Sequence, residues 1–105
     1  MNDRFGLSEE DIRSIQSALS SIVGLERAVV FGSRAKGNFR PGSDVDIALY
    51  GQVDANEVRR AGTYLNEETA MPYHFDLIDY SSISLPVLKD HIDRVGKLLF
   101  PDLHH

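Results

Sequence analysis

The sequence predicts a small α/β domain: a sheet of three or four strands with helices packed on it. Two observations carry this. Stretches with apolar residues at helical spacing alternate with short apolar runs of strand length. Glycine, proline or a capping residue marks most junctions between them. At 105 residues the chain reads as one domain over 1–105, with room for a single core and none for a separate substrate domain.

The elements follow in chain order. Ser8 to Val23 reads as an amphipathic helix, with Ile12, Ile15, Leu19, Ile22 and Val23 on its inner stripe. Ser8 is its cap, Asp11 stands three residues on, and Gly24 lies just past its end. Leu25 to Phe31 is the first strand, apolar without a break from Ala28. Ser33 opens a short helical turn closed by Gly37. Val45 to Tyr50 is the second strand, closed by Gly51. Asp54, with Glu57 at the capping-box position, starts a second long helix whose stripe is Val58, Ala61, Tyr64 and Leu65. Met71-Pro72 ends that pattern, and Tyr73 to Asp79 is the third strand. Ser84 caps a last helix that tolerates Pro86 in its first turn and buries Leu85, Leu88, Ile92 and Val95. Gly96 ends it, and Lys97 to Phe100 add a short edge strand before Pro101.

Composition narrows the function classes. The net charge of −5 argues against general nucleic-acid binding. There is no cysteine, so disulfides and thiolate metal sites are excluded. No apolar run approaches the ~20 residues that span a membrane, and the polar, acidic N-terminus is unlike a signal peptide. A cytoplasmic protein is the expectation. The four histidines show no metal-ligand spacing, and His104 and His105 are given no role.

The chemistry concentrates between Gly32 and Asp46. A strand runs into Gly32-Ser33, where glycine lets a ligand approach the backbone and free N–H groups favour an anion. A basic stretch follows, in which Arg34, Lys36 and Arg40 have no acid among them from Ser33 to Ser43. A local basic patch in an acidic chain suits a small polyphosphate better than a long nucleic-acid backbone. Gly42-Ser43 then turns the chain into Asp44-Val45-Asp46. Residues two apart on a strand share a face, so Asp44 and Asp46 converge while Val45 and Ile47 enter the core. Two converging carboxylates are costly to desolvate without a counter-charge. Mg2+ suits them, and it usually arrives with a substrate phosphate. Asp76 stands inside the apolar third strand, with His74 at the same parity and Asp79 on the opposite face. Other phosphate motifs fail: Gly32 and Gly37 have P-loop spacing, but Asn38-Phe39 stands where Lys and Ser/Thr are required.

Gly32-Ser33, ten residues, then Asp44-Val45-Asp46 with a later acid at Asp76 resembles the signature of the DNA-polymerase-beta-like nucleotidyltransferases. The short chain is most similar to their minimal nucleotidyltransferase (MNT) group. The resemblance implies a mixed sheet. It implies two Mg2+ ions, with Mn2+ as a substitute, held by Asp44, Asp46 and Asp76. Asp76 would also help activate the attacking hydroxyl. Gly32 and Ser33 would hold the triphosphate, and Arg34, Lys36, Arg40 and Ser43 could contact its phosphates. The implied reaction moves a nucleoside monophosphate, AMP from ATP or its counterpart from another nucleoside triphosphate, to a hydroxyl and releases pyrophosphate. The acceptor would be a tyrosine of a HEPN-domain toxin, beside which the MNT protein acts as antitoxin. Two other readings are an antitoxin that binds and occludes its partner without catalysis, and adenylylation of a small-molecule antibiotic. Self-association stays open.

Overall fold

The computed structural model describes residues 4–101, so His104 and His105 lie outside the described residues. In order, the elements are α1 (Glu9–Leu19), β1 (Leu25–Phe31), α2 (Ser33–Lys36), β2 (Val45–Gly51), α3 (Ala55–Glu67), β3 (Phe75–Asp79), a 3-10 turn (Tyr80–Ser82), α4 (Pro86–Val95) and β4 (Lys97–Phe100). The strands form one mixed sheet in the order β3-β2-β1-β4. β1 pairs antiparallel with both β2 and β4, whereas β2 and β3 run parallel. The parallel pair needs a crossover, and α3 supplies it.

Alternation along the strands builds two apolar layers. Ala28 and Val30 of β1, Val45, Ile47 and Leu49 of β2, and Phe75 of β3 pack under α1 and α3, against Ile12, Ile15, Leu19, Ala61 and Leu65. Val29, Phe31 and Ala48 face the other way, onto Ile83 and Ile92 of the α4 side. Asp46 has the parity of Ala48, and Asp76 that of Ile78. Both acids therefore lie on the α4 face, at the end of the sheet where β1 finishes and β2 and β3 begin.

The helix starts follow local chemistry, with two exceptions. The Ser8 hydroxyl accepts from the Asp11 N–H at 3.0 Å, and Asp54 Oδ2 accepts from the Glu57 N–H at 3.1 Å. Each replaces a bond that a helix start lacks, worth about 1 kcal/mol. Ser84 is not the cap of α4: Leu85 occupies that position without a side-chain bond, and Pro86 supplies the preset φ of the first turn. Nor does Ser33 cap α2, because Gly32 stands at the cap and Ser33 is the first helical residue.

Some expected boundaries move. α1 stops at Leu19, not Val23, where the Ser20 and Ser21 hydroxyls bond back to the Ser17 and Ala18 carbonyls at 2.7 and 2.8 Å. Such bonds compete with the helical ladder. Val23 is left 73% exposed, and Tyr64 and Leu85, both expected inside, are 47% and 65% exposed. β3 begins at Phe75 instead of Tyr73. There the Asn66 side chain accepts from the Phe75 N–H at 2.7 Å and donates to its carbonyl at 2.9 Å. That amide covers part of the outer edge of β3, which would otherwise invite pairing with another chain.

Candidate active site

The carboxylates meet because of register. Asp46 lies opposite Phe31 across the antiparallel pair and opposite Asp76 across the parallel pair. Asp44 precedes β2 and stands exposed at its mouth, as His74 does before β3. The His74 carbonyl accepts the Val45 N–H at 2.9 Å and locks the two mouths together. Asp79 takes no part: Oδ1 accepts from the Ser81 N–H and hydroxyl at 3.1 and 2.9 Å, capping the turn after β3.

Gly32 forms the wall beside Asp46. Its φ is +76°, a region that other L-residues rarely adopt. A Cβ there would sit 2.6 Å from Asp46 Oδ2. The positive φ and this close approach both favour glycine where the end of β1 meets the carboxylate. The Gly32 carbonyl then accepts the Lys36 N–H at 3.1 Å, and the Gly37 N–H bonds the Ser33 carbonyl at 2.9 Å, winding the single turn of α2.

The basic segment divides. Lys36 and Arg40 stand exposed. Arg34 does not: it is 3% exposed. Its Nε and Nη2 donate to the Ser43 carbonyl at 3.1 and 2.9 Å, and Nη1 donates to the Phe5 carbonyl at 2.7 Å. Its guanidinium lies 5.0 Å from the Phe39 ring centre and 4.8 Å from that of Tyr73. A Cβ on Gly6 would come within 2.8 Å of Nη1 and 2.3 Å of Phe39. The expectation that Arg34 contacts phosphate is thereby corrected. The guanidinium gives two hydrogen bonds to the backbone that leads into Asp44 and a third to the Phe5 carbonyl. Ser43 also serves the turn: its hydroxyl accepts from the Arg40 N–H at 2.9 Å.

His91, on α4, was not singled out from the sequence. Its Nε2 accepts from the Gly32 N–H at 3.3 Å, and its ring meets Phe31 edge-on at 6.2 Å. The signal was present, since His91 falls on the stripe of Leu88, Ile92 and Val95. Spacing alone does not tell a packing histidine from one that reaches a backbone amide.

Charge in this corner is unbalanced. Burial, then the neighbouring carboxylates of Asp76 and Asp44, push the Asp46 carboxyl above its ordinary range, and His74 and His91 only partly offset them.

A family description, polymerase beta, nucleotidyltransferase, matches residues 13–103. The chain belongs to this family. Solved structures agree. A toxin–antitoxin crystal structure with AMP-PNP matches at 27% identity with a TM-score of 0.70, over 92% of this chain and 76% of that chain. The MntA-HepT toxin–antitoxin structure matches at 25% identity and TM-score 0.67, over 89% and 72% of the two chains. The complex of a tri-AMPylated Shewanella oneidensis HEPN toxin with MNT antitoxin matches at 25% and 0.66, over 88% and 71%. No curated protein sequence is a significant match. Among the described residues, no helix is long and apolar enough to cross a membrane.

Nucleotidyltransferases of this family generally use divalent metals. The donors fit in kind: Asp44, Asp46 and Asp76 offer hard oxygens, and burial together with the carboxylates of Asp76 and Asp44 raises the Asp46 carboxyl. Among the described residues, no group of three or more His, Cys, Asp or Glu side chains stands assembled to hold a metal. Mg2+ tolerates this, because it commonly takes one or two carboxylates and completes its shell with water and substrate phosphate.

A raised carboxyl has a consequence for stability. Ionised Asp46 is disfavoured in the folded state relative to the unfolded chain, where an aspartate titrates near ~3.9. Stability therefore falls as pH rises from that value through the higher folded-state one, and the loss is complete above it. Asp46→Asn is expected to raise the melting temperature at about pH 7 and to lose that advantage at about pH 3. Paired thermal melts across this range check it. An equal or lower Tm for the variant at neutral pH would count against the strain.

Proposed function

We propose that this chain transfers a nucleoside monophosphate, AMP from ATP, to a tyrosine hydroxyl of a HEPN-type toxin and so acts as its antitoxin. One observation carries the reading: Asp46 and Asp76 stand side by side on adjacent strands, with Asp44 at the mouth and the Gly32-Ser33 turn against them. The bound AMP-PNP of one structural neighbour and the AMPylated HEPN toxin of another support the nucleotide and the acceptor.

In this reading the Ser33 hydroxyl and N–H hold a phosphate oxygen of the triphosphate. Lys36 and Arg40, exposed on the same segment, draw the polyphosphate in. Asp44, Asp46 and Asp76 would hold Mg2+, which would supply charge neutralisation for the phosphates and the oxygens that change partners. The acceptor oxygen forms a bond to the α-phosphorus as the α–β bridging bond breaks. Pyrophosphate departs, and the hydroxyl proton passes to the Asp76 carboxylate.

Calorimetry with Mg2+ and α,β-methylene-ATP, whose bridging bond resists transfer, tests the nucleotide site. Binding is expected to vanish with chelator. Asp44→Asn should weaken it about tenfold or more, since even outer partners of a metal site are worth that much. Unchanged affinity in the variant, with metal present, would remove Asp44 from the site.

A further inference from the structure

We propose that His91 is a positioning residue: from α4 it holds the Gly32-Ser33 turn against Asp46 and thereby sets triphosphate affinity. The affinity half of this inference rests on the nucleotide site proposed above.

The geometry runs through one residue, Gly32. The Gly32 N–H donates to His91 Nε2 at 3.3 Å across 59 residues of sequence. On the same residue, the carbonyl accepts the first bond of α2, from the Lys36 N–H at 3.1 Å. His91 therefore holds the Phe31–Gly32 peptide plane, from which the chain turns into α2 at a Gly32 φ of +76°. On its other side the turn is close to Asp46, whose Oδ2 lies 2.6 Å from where a Gly32 Cβ would stand. A glycine at this φ has access to several other conformations once its N–H is released. Any of them shifts the Ser33 N–H relative to the carboxylates. The imidazole is itself held, edge-on against the Phe31 ring, and Phe31 and the next helical residue, Ile92, are buried in the same apolar layer. The acceptor thus stands on a packed helix, and the turn it holds lies at a strand end.

A histidine that only fills space between α4 and the sheet would be replaced by leucine without effect on the turn. The test separates these roles by stereochemistry. The amide oxygen of glutamine reaches about as far from Cα as Nε2 does, whereas that of asparagine reaches only as far as Nδ1. Two readouts are made on His91→Leu, His91→Asn and His91→Gln: amide hydrogen exchange at Gly32 by NMR without ligand, and calorimetry with Mg2+ and α,β-methylene-ATP. His91→Leu and His91→Asn should accelerate Gly32 exchange and weaken the analogue about three- to tenfold, the worth of one hydrogen bond. His91→Gln should recover both. Wild-type behaviour in the leucine variant, or a glutamine variant no better than leucine, overturns the proposal. If wild type itself fails to bind the analogue, the nucleotide site falls and the affinity half falls with it. Gly32 exchange then decides the positioning half alone.

Discussion

Asp76→Asn is expected to abolish most nucleotidyl transfer while leaving the fold and much of the triphosphate affinity in place. Asp76 is exposed, and its carboxyl has no packing role that an amide of the same shape would lose. Asp44 and Asp46 remain to meet the triphosphate. An amide cannot take the proton of the acceptor hydroxyl, and proton transfer by a positioned group contributes about 10²- to 10⁴-fold. Removing one negative charge beside Asp46 also relieves part of the repulsion that lifts its carboxyl, so the variant should fold at least as stably at neutral pH. The measurement is label transfer from α-labelled ATP to a co-expressed HEPN-type partner, run beside growth rescue. Lost transfer with lost rescue supports catalysis. Lost transfer with full rescue supports an antitoxin that works by occlusion. Undiminished transfer would remove Asp76 from the chemistry.

Arg34→Ala is expected to cost stability on the order of 3–5 kcal/mol, a large share of the roughly 5–15 kcal/mol that holds such a domain together. Its guanidinium is the donor for the Ser43 and Phe5 carbonyls. Leaving these part-buried carbonyls unpaired costs about 1–3 kcal/mol each, and the contacts with Phe39 and Tyr73 add about 0.5–2 kcal/mol. Arg34→Lys should recover little, because an ammonium cannot reproduce the planar fork that meets Ser43 twice and stacks between rings. Lys36→Ala, two residues away and exposed, should stay within about 0.5 kcal/mol. Urea unfolding of the three variants checks this. If Arg34→Ala keeps its midpoint and loses only triphosphate affinity, the guanidinium belongs to the phosphates after all.

Arg34 shows where sequence reasoning stopped. In Ser33-Arg34-Ala35-Lys36 the two cations look equivalent, and a basic run beside Gly-Ser suggests phosphate for both. On a single helical turn, residues two apart point in different directions. Lys36 faces water, and Arg34 turns inward with Ala35, under Phe39, Tyr73 and the Arg4–Leu7 turn. Nothing local selects between those directions; partners up to 39 residues away in sequence do. The caps divide the same way. Ser8 and Asp54 were legible because a cap bonds within three residues. Ser84 looked as good, and the chain starts its helix one residue later on the preset φ of Pro86.

The sequence by itself determined the mixed pattern of strands and helices and the turn at Gly32-Ser33. These depend on backbone period and on bonds a few residues long, which the order of residues states directly. Tertiary structure alone decided that His91 reaches the Gly32 amide and that Arg34 is buried, and it set the parallel register that puts Asp76, which the resemblance implied, beside Asp46. Each of these needs a strand order, a parallel register or a helix crossing. Such choices are set by burial of two apolar layers at once, and no short window of sequence contains both sides of that balance.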